Sequence, residues 1–211
     1  MTPRGLTRLQ RRIARTVLRI GAPDGFHLAG GAALVASRLI RRPTRDINVL
    51  TARDTGVPAV ARRVAHALRD DGLDVVVIAN SPAFVRLEVI AEDARRGRFG
   101  VDLGRDRITW PGTTTSLGPT LSPRELAANK VLALAGRVQP RDLADVTALV
   151  EHVRLDDMLA DAKLKDPGFI TRSLAEMVRM VVARPDAQWP VGVDVAAARA
   201  FGLDLAKRLE G

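Results

Sequence analysis

Phe26-His-Leu-Ala-Gly-Gly-Ala-Ala-Leu34 and Arg42-Pro-Thr-Arg-Asp-Ile-Asn-Val-Leu50 are the stretches whose reading decides the fold. The first is a short apolar strand that meets Gly30-Gly31 and then Ala32-Ala33-Leu34, an opening for a helix expected to run to about Arg41. Two glycines at a strand-to-helix turn let backbone N–H groups approach a phosphate closely, and the helix that follows points its positive end at the same place. In the second stretch, Thr44 and Arg45 lead into a strand over Asp46 to Leu50. Successive side chains of a strand point to opposite faces, so Asp46 and Asn48 project together while Ile47 and Val49 point into a core.

Working outward, the pattern predicts a helix from Val57 to Asp71 and strands at Asp74 to Ala79, Val85 to Ala91 and Phe99 to Leu103, with a short one at Arg107 to Trp110. Before them, residues 4 to 20 read as an amphipathic helix with Leu6, Leu9, Ile13, Val17 and Ile20 on one side. Its other side carries Arg4, Arg8, Arg11, Arg12, Arg15 and Arg19, either a stripe that an RNA backbone could follow or a merely solvated face. The run Pro111 to Thr120 has the turn residues of a linker. Ser122-Pro123-Arg124-Glu125 then opens a helix with an N-cap serine, proline at the first position and a glutamate placed for a capping box. Further helices are expected at Pro140 to Val153, Asp156 to Lys163, Gly168 to Ala183 and Val193 to Leu209. The expected class is α+β: a core with a small mixed sheet over residues 1–110, including the N-terminal basic helix, and a helical region over residues 121–211.

Asp102, flanked by Val101 and Leu103, repeats the Asp46 pattern on a later strand, and pairing the two strands would gather Asp46, Asn48 and Asp102 into one oxygen-rich cluster. Magnesium, or manganese in its place, takes hard oxygen ligands, so one or two carboxylates plus triphosphate oxygens can complete its shell. Carboxylate ligands are also what the composition leaves. With no cysteine and three scattered histidines there is no thiolate nucleophile and no convincing zinc spacing. There is no GxxxxGK loop and no convincing dinucleotide fingerprint. The formal net charge of +9 points to an anionic partner, with nucleic acid the leading class. No apolar run approaches the roughly 20 residues that span a bilayer. No secretory signal pattern opens the chain either, and the expected location is the cytoplasm.

The Gly30-Gly31 turn with Arg42, Thr44 and Asp46 resembles the first motif of the AbiEii/AbiGii-type, MenT-like nucleotidyltransferase toxins, relatives of DNA polymerase β in fold. Asp102 continues the resemblance. So does Leu126-Ala-Ala-Asn-Lys-Val-Leu-Ala-Leu134, running to Arg137, Arg141-Asp142 and Asp145, which resembles the family's K…R…RDxxD block. The similarity covers roughly residues 24 to 150, in several separated motifs in the family's order. It implies a polymerase β-like core that transfers a nucleotide from a nucleoside triphosphate, with magnesium, to an RNA acceptor such as the tRNA 3′ end. It also implies a toxin paired with an antitoxin protein. On that reading Asp46 is the main metal ligand, and Asp102 a second ligand or the group that activates the acceptor hydroxyl. Lys130 contacts the triphosphate, Asp145 supports the site, and Arg42 or Arg45 adds phosphate contacts.

Two residues of the second block also have a reading of their own. Lys130 is the first lysine of the chain and sits beside Val131 and Leu134, where a compact ammonium could meet triphosphate oxygens. An ordinary lysine lying over apolar neighbours is the other reading. Asp145 fits an active-site role or a helix-surface ion pair with Arg141 equally well.

The departure from the family pattern is Asn48, where a second acid is usual. Its carbonyl oxygen can ligate a metal but brings no charge, so magnesium is expected to bind more weakly or at one site only. Two other functions follow from the same residues: a catalytically degenerate fold kept for binding RNA or nucleotide, and nucleotidyl transfer to a small molecule or a protein hydroxyl.

Overall fold

A computed structural model of the chain describes residues 5–90 and 97–210. It divides into two compact units, one of Met1–Ser37 with Thr44–Ser122 and one of Arg38–Pro43 with Pro123–Gly211.

The first unit is a mixed sheet of seven strands backed by helices. The strands are β1 (His27–Ala29), β2 (Asp46–Thr51), β3 (Asp74–Ser81), β4 (Phe84–Ile90), β5 (Arg98–Arg105), β6 (Thr113–Thr115) and β7 (Gly118–Thr120), and the helices are α1 (Arg8–Gly21), α2 (Gly30–Ala36) and α3 (Val57–Asp70). The sheet order is β3-β4-β5-β2-β1-β7-β6. β2 runs parallel to β5 and β1 parallel to β7, while the other neighbours are antiparallel.

Alternation sorts the two faces of this sheet. Ile47 and Val49 of β2, Val85, Leu87 and Val89 of β4, and Val101 and Leu103 of β5 are all buried on one face. Helix α3 packs on β4, with Ala61 and Ala65 lining one cavity together with Val85 and Leu87, and α1 packs on α3, so both helices cover that face. Each buried Val or Leu there contributes about 1.5–3 kcal/mol. Helix α1 starts at Arg8 because Thr7 and Gln10 form a reciprocal capping box. Arg8, Arg12, Arg15 and Arg19 are exposed on α1, and Arg4 lies outside the described residues. This arginine stripe is therefore on the helical layer, while Asp46 and Asn48 project from the other face of the sheet.

Three expectations change. Helix α2 ends at Ala36, short of Arg41, because Arg38 takes a left-handed conformation at φ 62°, which no α-helix continues through. Arg107 to Trp110 forms no strand; the strands instead fall within Pro111 to Thr120, where a linker is expected. The turn residues there close the β6–β7 hairpin, the Thr115 and Thr120 hydroxyls hydrogen-bond at 3.1 Å, and β7 joins the sheet through Leu28 opposite Thr120. The sheet thus extends past residue 110. Of the expected Val85 to Ala91 strand, Ala91 lies outside the described residues.

The second unit holds α4 (Pro123–Gly136), α5 (Pro140–Leu149), α6 (Leu155–Lys165), α7 (Thr171–Val182) and α8 (Val195–Glu210), together with the short segment Arg38–Pro43. Helix α8 crosses closely at Gly202, where a Cβ would stand 2.8 Å from Val182 and 2.9 Å from Leu143. Buried Glu125 at the start of α4 pairs with Lys165 at the end of α6. No helix among the described residues is long and apolar enough to cross a membrane.

Candidate active site

In the first unit the strands pair as the cluster requires. Asp46 stands opposite Gly100, and Asn48 opposite Asp102, along the parallel β2–β5 pair. Paired residues share a face, so Asp46, Asn48 and Asp102 project together, and Arg86 joins them as the β4 partner of Asp102.

Two glycines make room for the β2 side chains. A Cβ at Gly100 would stand 2.7 Å from Asp46 Oδ1, so the Asp46 carboxylate can lie across β5 only because that position is glycine. Gly30, at φ 61°, would put a Cβ 2.5 Å from Asn48 Nδ2. What the glycine turn demonstrably admits is thus the Asn48 amide. The Oδ1 atom of Asn48 is buried with no hydrogen-bond partner among the described residues. Such an orphan costs about 1–3 kcal/mol unless something binds it.

Asp102 has a partner that the sequence reading did not single out. Arg86 donates from Nε to Oδ1 at 2.7 Å and from Nη2 to Oδ2 at 2.6 Å. The hydrogen bonds and charge of Asp102 hold the guanidinium above its ordinary pKa against the effect of burial, and the charge of Asp46 adds to this. The same guanidinium lies 5.8 Å from the centroid of the Phe84 ring. The available signal was alternation: Arg86 stands between Val85 and Leu87, on the polar face of its strand. Among the described residues no three His, Cys, Asp or Glu side chains form a metal-binding group. Nearby, the Thr44 carbonyl accepts from Gln10 Nε2, and Arg45 is exposed.

The second unit contains the other expected site residues, in a buried ionic chain. Arg42 donates from Nε and Nη2 to the two oxygens of Asp145, both at 2.7 Å, and from Nη1 to the Pro43 carbonyl at 3.0 Å. Lys130 Nζ lies 2.8 Å from Asp145 and 3.0 Å from Asp142. Arg137 in turn donates to both oxygens of Asp142. The Arg42 fork expected at a phosphate is spent on Asp145. Asp145 is buried and held by Arg42 and Lys130, while Arg141 is exposed. Asp142, which the sequence placed in the RDxxD-like block without a role of its own, joins Lys130 to Arg137. Burial alone would raise its pKa, but the charge of Lys130 and the hydrogen bonds and charge of Arg137 outweigh burial and hold it below the usual carboxylate value.

Solved structures share this fold, among them the following two. JHP933 from Helicobacter pylori is 18% identical, with a TM-score of 0.60 over 98% of this chain and 95% of that one. The nucleotidyltransferase toxin MenT4 from Mycobacterium tuberculosis H37Rv is 17% identical, with a TM-score of 0.63 over 96% of this chain and 83% of that one. No curated protein matches the chain. Residues 13–203 match the family described as Nucleotidyl transferase AbiEii toxin, Type IV TA system, and the chain belongs to that family.

Proposed function

We propose that this protein transfers a nucleotide from a nucleoside triphosphate to an RNA acceptor, the 3′ end of a tRNA, and that a cognate antitoxin counters it. The observation that carries this reading is the Asp46–Asn48 face, where a carboxylate and an unpartnered buried amide oxygen stand together in spaces left by Gly100 and Gly30. The donor set fits one magnesium or manganese ion, held by the Asp46 carboxylate and the Asn48 carbonyl oxygen. When bound, such an ion neutralises triphosphate charge and stabilises the leaving pyrophosphate.

The chain's own residues orient the reactants. Asp46 and Asn48 would hold the ion, and exposed Arg45, next to Asp46, would contact a phosphate. Asp102, on the same face, is the group to accept the acceptor hydroxyl's proton or to serve as a further ligand once its oxygens are released by Arg86.

The test is incubation with each labelled nucleoside triphosphate, magnesium and total RNA, with protein and aminoglycoside acceptors in parallel. Label is expected in RNA, and in none of the arms with Asp46→Ala. No transfer by the wild type, or equal transfer by Asp46→Ala, overturns the proposal. A second reading, an RNA- or nucleotide-binding module without turnover, is favoured by the Asn48 amide and by the Arg86 grip on Asp102. It predicts binding without label transfer, and activity created by Asn48→Asp.

A further inference from the structure

Asn48, Asp102 and Arg86 stand in one row across β2, β5 and β4, each opposite the next. In that row the Arg86 fork takes both oxygens of Asp102, whose side chain is 15% exposed, while the arginine's own side chain is 50% exposed. A carboxylate held in this way has its charge cancelled and one lone pair on each oxygen engaged. The cluster of Asp46 and Asn48 therefore meets a cation without the charge of Asp102.

We propose that Arg86 is a latch on Asp102, opened by the phosphates of the incoming nucleotide. The inference rests on the reading of this face as a triphosphate site. A guanidinium fork binds phosphate oxygens in the same bidentate way as carboxylate oxygens, so Arg86 can exchange one anion for the other without losing its hydrogen bonds. Three features make the exchange accessible. The arginine is half exposed, it already rests against the Phe84 ring, and it feels Asp46 as well as Asp102. Leaving Asp102 for a phosphate returns a full carboxylate to the face carrying Asp46 and Asn48. Arg86 is thus a positioning residue: it makes the second acid of the site conditional on substrate. Nucleotide and cation then strengthen each other's binding reciprocally. The site compensates in this way for Asn48, because the charge missing from β2 is supplied by β5 when a triphosphate is present.

The experiment measures manganese binding by electron paramagnetic resonance, using the ion alone and then with a non-transferable triphosphate analogue. The proteins are wild type, Arg86→Gln, Arg86→Lys, Asp102→Asn and the double variant Arg86→Gln/Asp102→Asn. Without nucleotide, Arg86→Gln is expected to bind manganese about tenfold or more tightly than wild type, the range in which outer-shell changes move metal affinity. Arg86→Lys, which keeps the charge but loses the fork, is expected to fall between. Asp102→Asn should abolish the gain. The analogue should raise manganese affinity more in wild type than in Arg86→Gln. Unchanged affinity in both Arg86 variants overturns the proposal. So does a gain that persists in the double variant, which would make Arg86 a source of repulsion only. The transfer assay runs on the same samples: a wild type that shows the manganese pattern but transfers nothing refutes the enzyme and keeps the latch, whereas transfer without the pattern does the reverse.

Discussion

Arg42 grips both carboxylate oxygens of Asp145 at 2.7 Å across 103 residues of sequence, with side chains only 8% and 1% exposed. Removing one partner leaves the other charge buried and uncompensated. Asp145→Ala is expected to lower the stability of the chain by about 3–5 kcal/mol in urea unfolding, since it strands the Arg42 charge and leaves Lys130 with Asp142 as its remaining carboxylate partner among the described residues. The double variant Arg42→Met/Asp145→Leu should lose less than the sum of the single losses. Any loss of transfer in Asp145 variants therefore has to be compared with their unfolding midpoints before Asp145 is given a chemical role.

Asp142 supplies a pH dependence whose sign is set. Its folded pKa is held below the ordinary 3.8, with burial opposing the shift and Lys130 and Arg137 causing it. A depressed carboxylate pKa gives stability that is fully present above the unfolded value and is lost as pH falls through the folded one. The stability difference between wild type and Asp142→Asn should hold constant from neutral pH to about pH 5 and shrink as the pH falls below 4. Urea midpoints measured across that range check it. A difference that grows on acidification would contradict the direction.

Gly30→Ala tests the close approach beside Asn48. The substitution puts an alanine at φ 61° and a methyl group 2.5 Å from Asn48 Nδ2, so the amide must move. The backbone term alone costs about 1–2 kcal/mol. The variant should unfold at a lower temperature and lose nucleotide transfer by more than its folded fraction explains. Transfer retained at the wild-type rate would separate Asn48 from the chemistry.

Asn48→Asp adds a second acid beside Asp46, on an atom buried without a hydrogen-bond partner among the described residues. Without divalent cations the variant should melt below wild type, because a buried carboxylate near another is disfavoured. Magnesium should then raise its melting temperature by more than it raises that of wild type. Differential scanning calorimetry with and without the ion reads both effects, and equal shifts would mean that residue 48 does not ligate.

Much of the first unit was legible in sequence because its signals are local. Alternation between Asp46 and Leu50 and around Asp102 put the polar side chains on one face and Ile47, Val49, Val101 and Leu103 in the core. Pro123 marked where α4 starts, since proline is favoured at the first helical position and acts within one turn. The hairpin at Thr113–Thr120 was not legible. Its turn residues are those of any loop, and only pairing with β1 turns the segment into sheet.

The sequence by itself determined the order of the elements up to β5, the shared side of Asp46 and Asn48 along β2, and the presence of a single acid on that strand. Tertiary structure alone decided what those charges are free to do. Whether Asp102 faces a cation or an arginine depends on β4 lying next to β5, and whether Arg42 meets a phosphate or Asp145 depends on a partner 103 residues away. An ionisable side chain declares its charge in the sequence, but the availability of that charge is set by the competition among its neighbours, and folding chooses the neighbours.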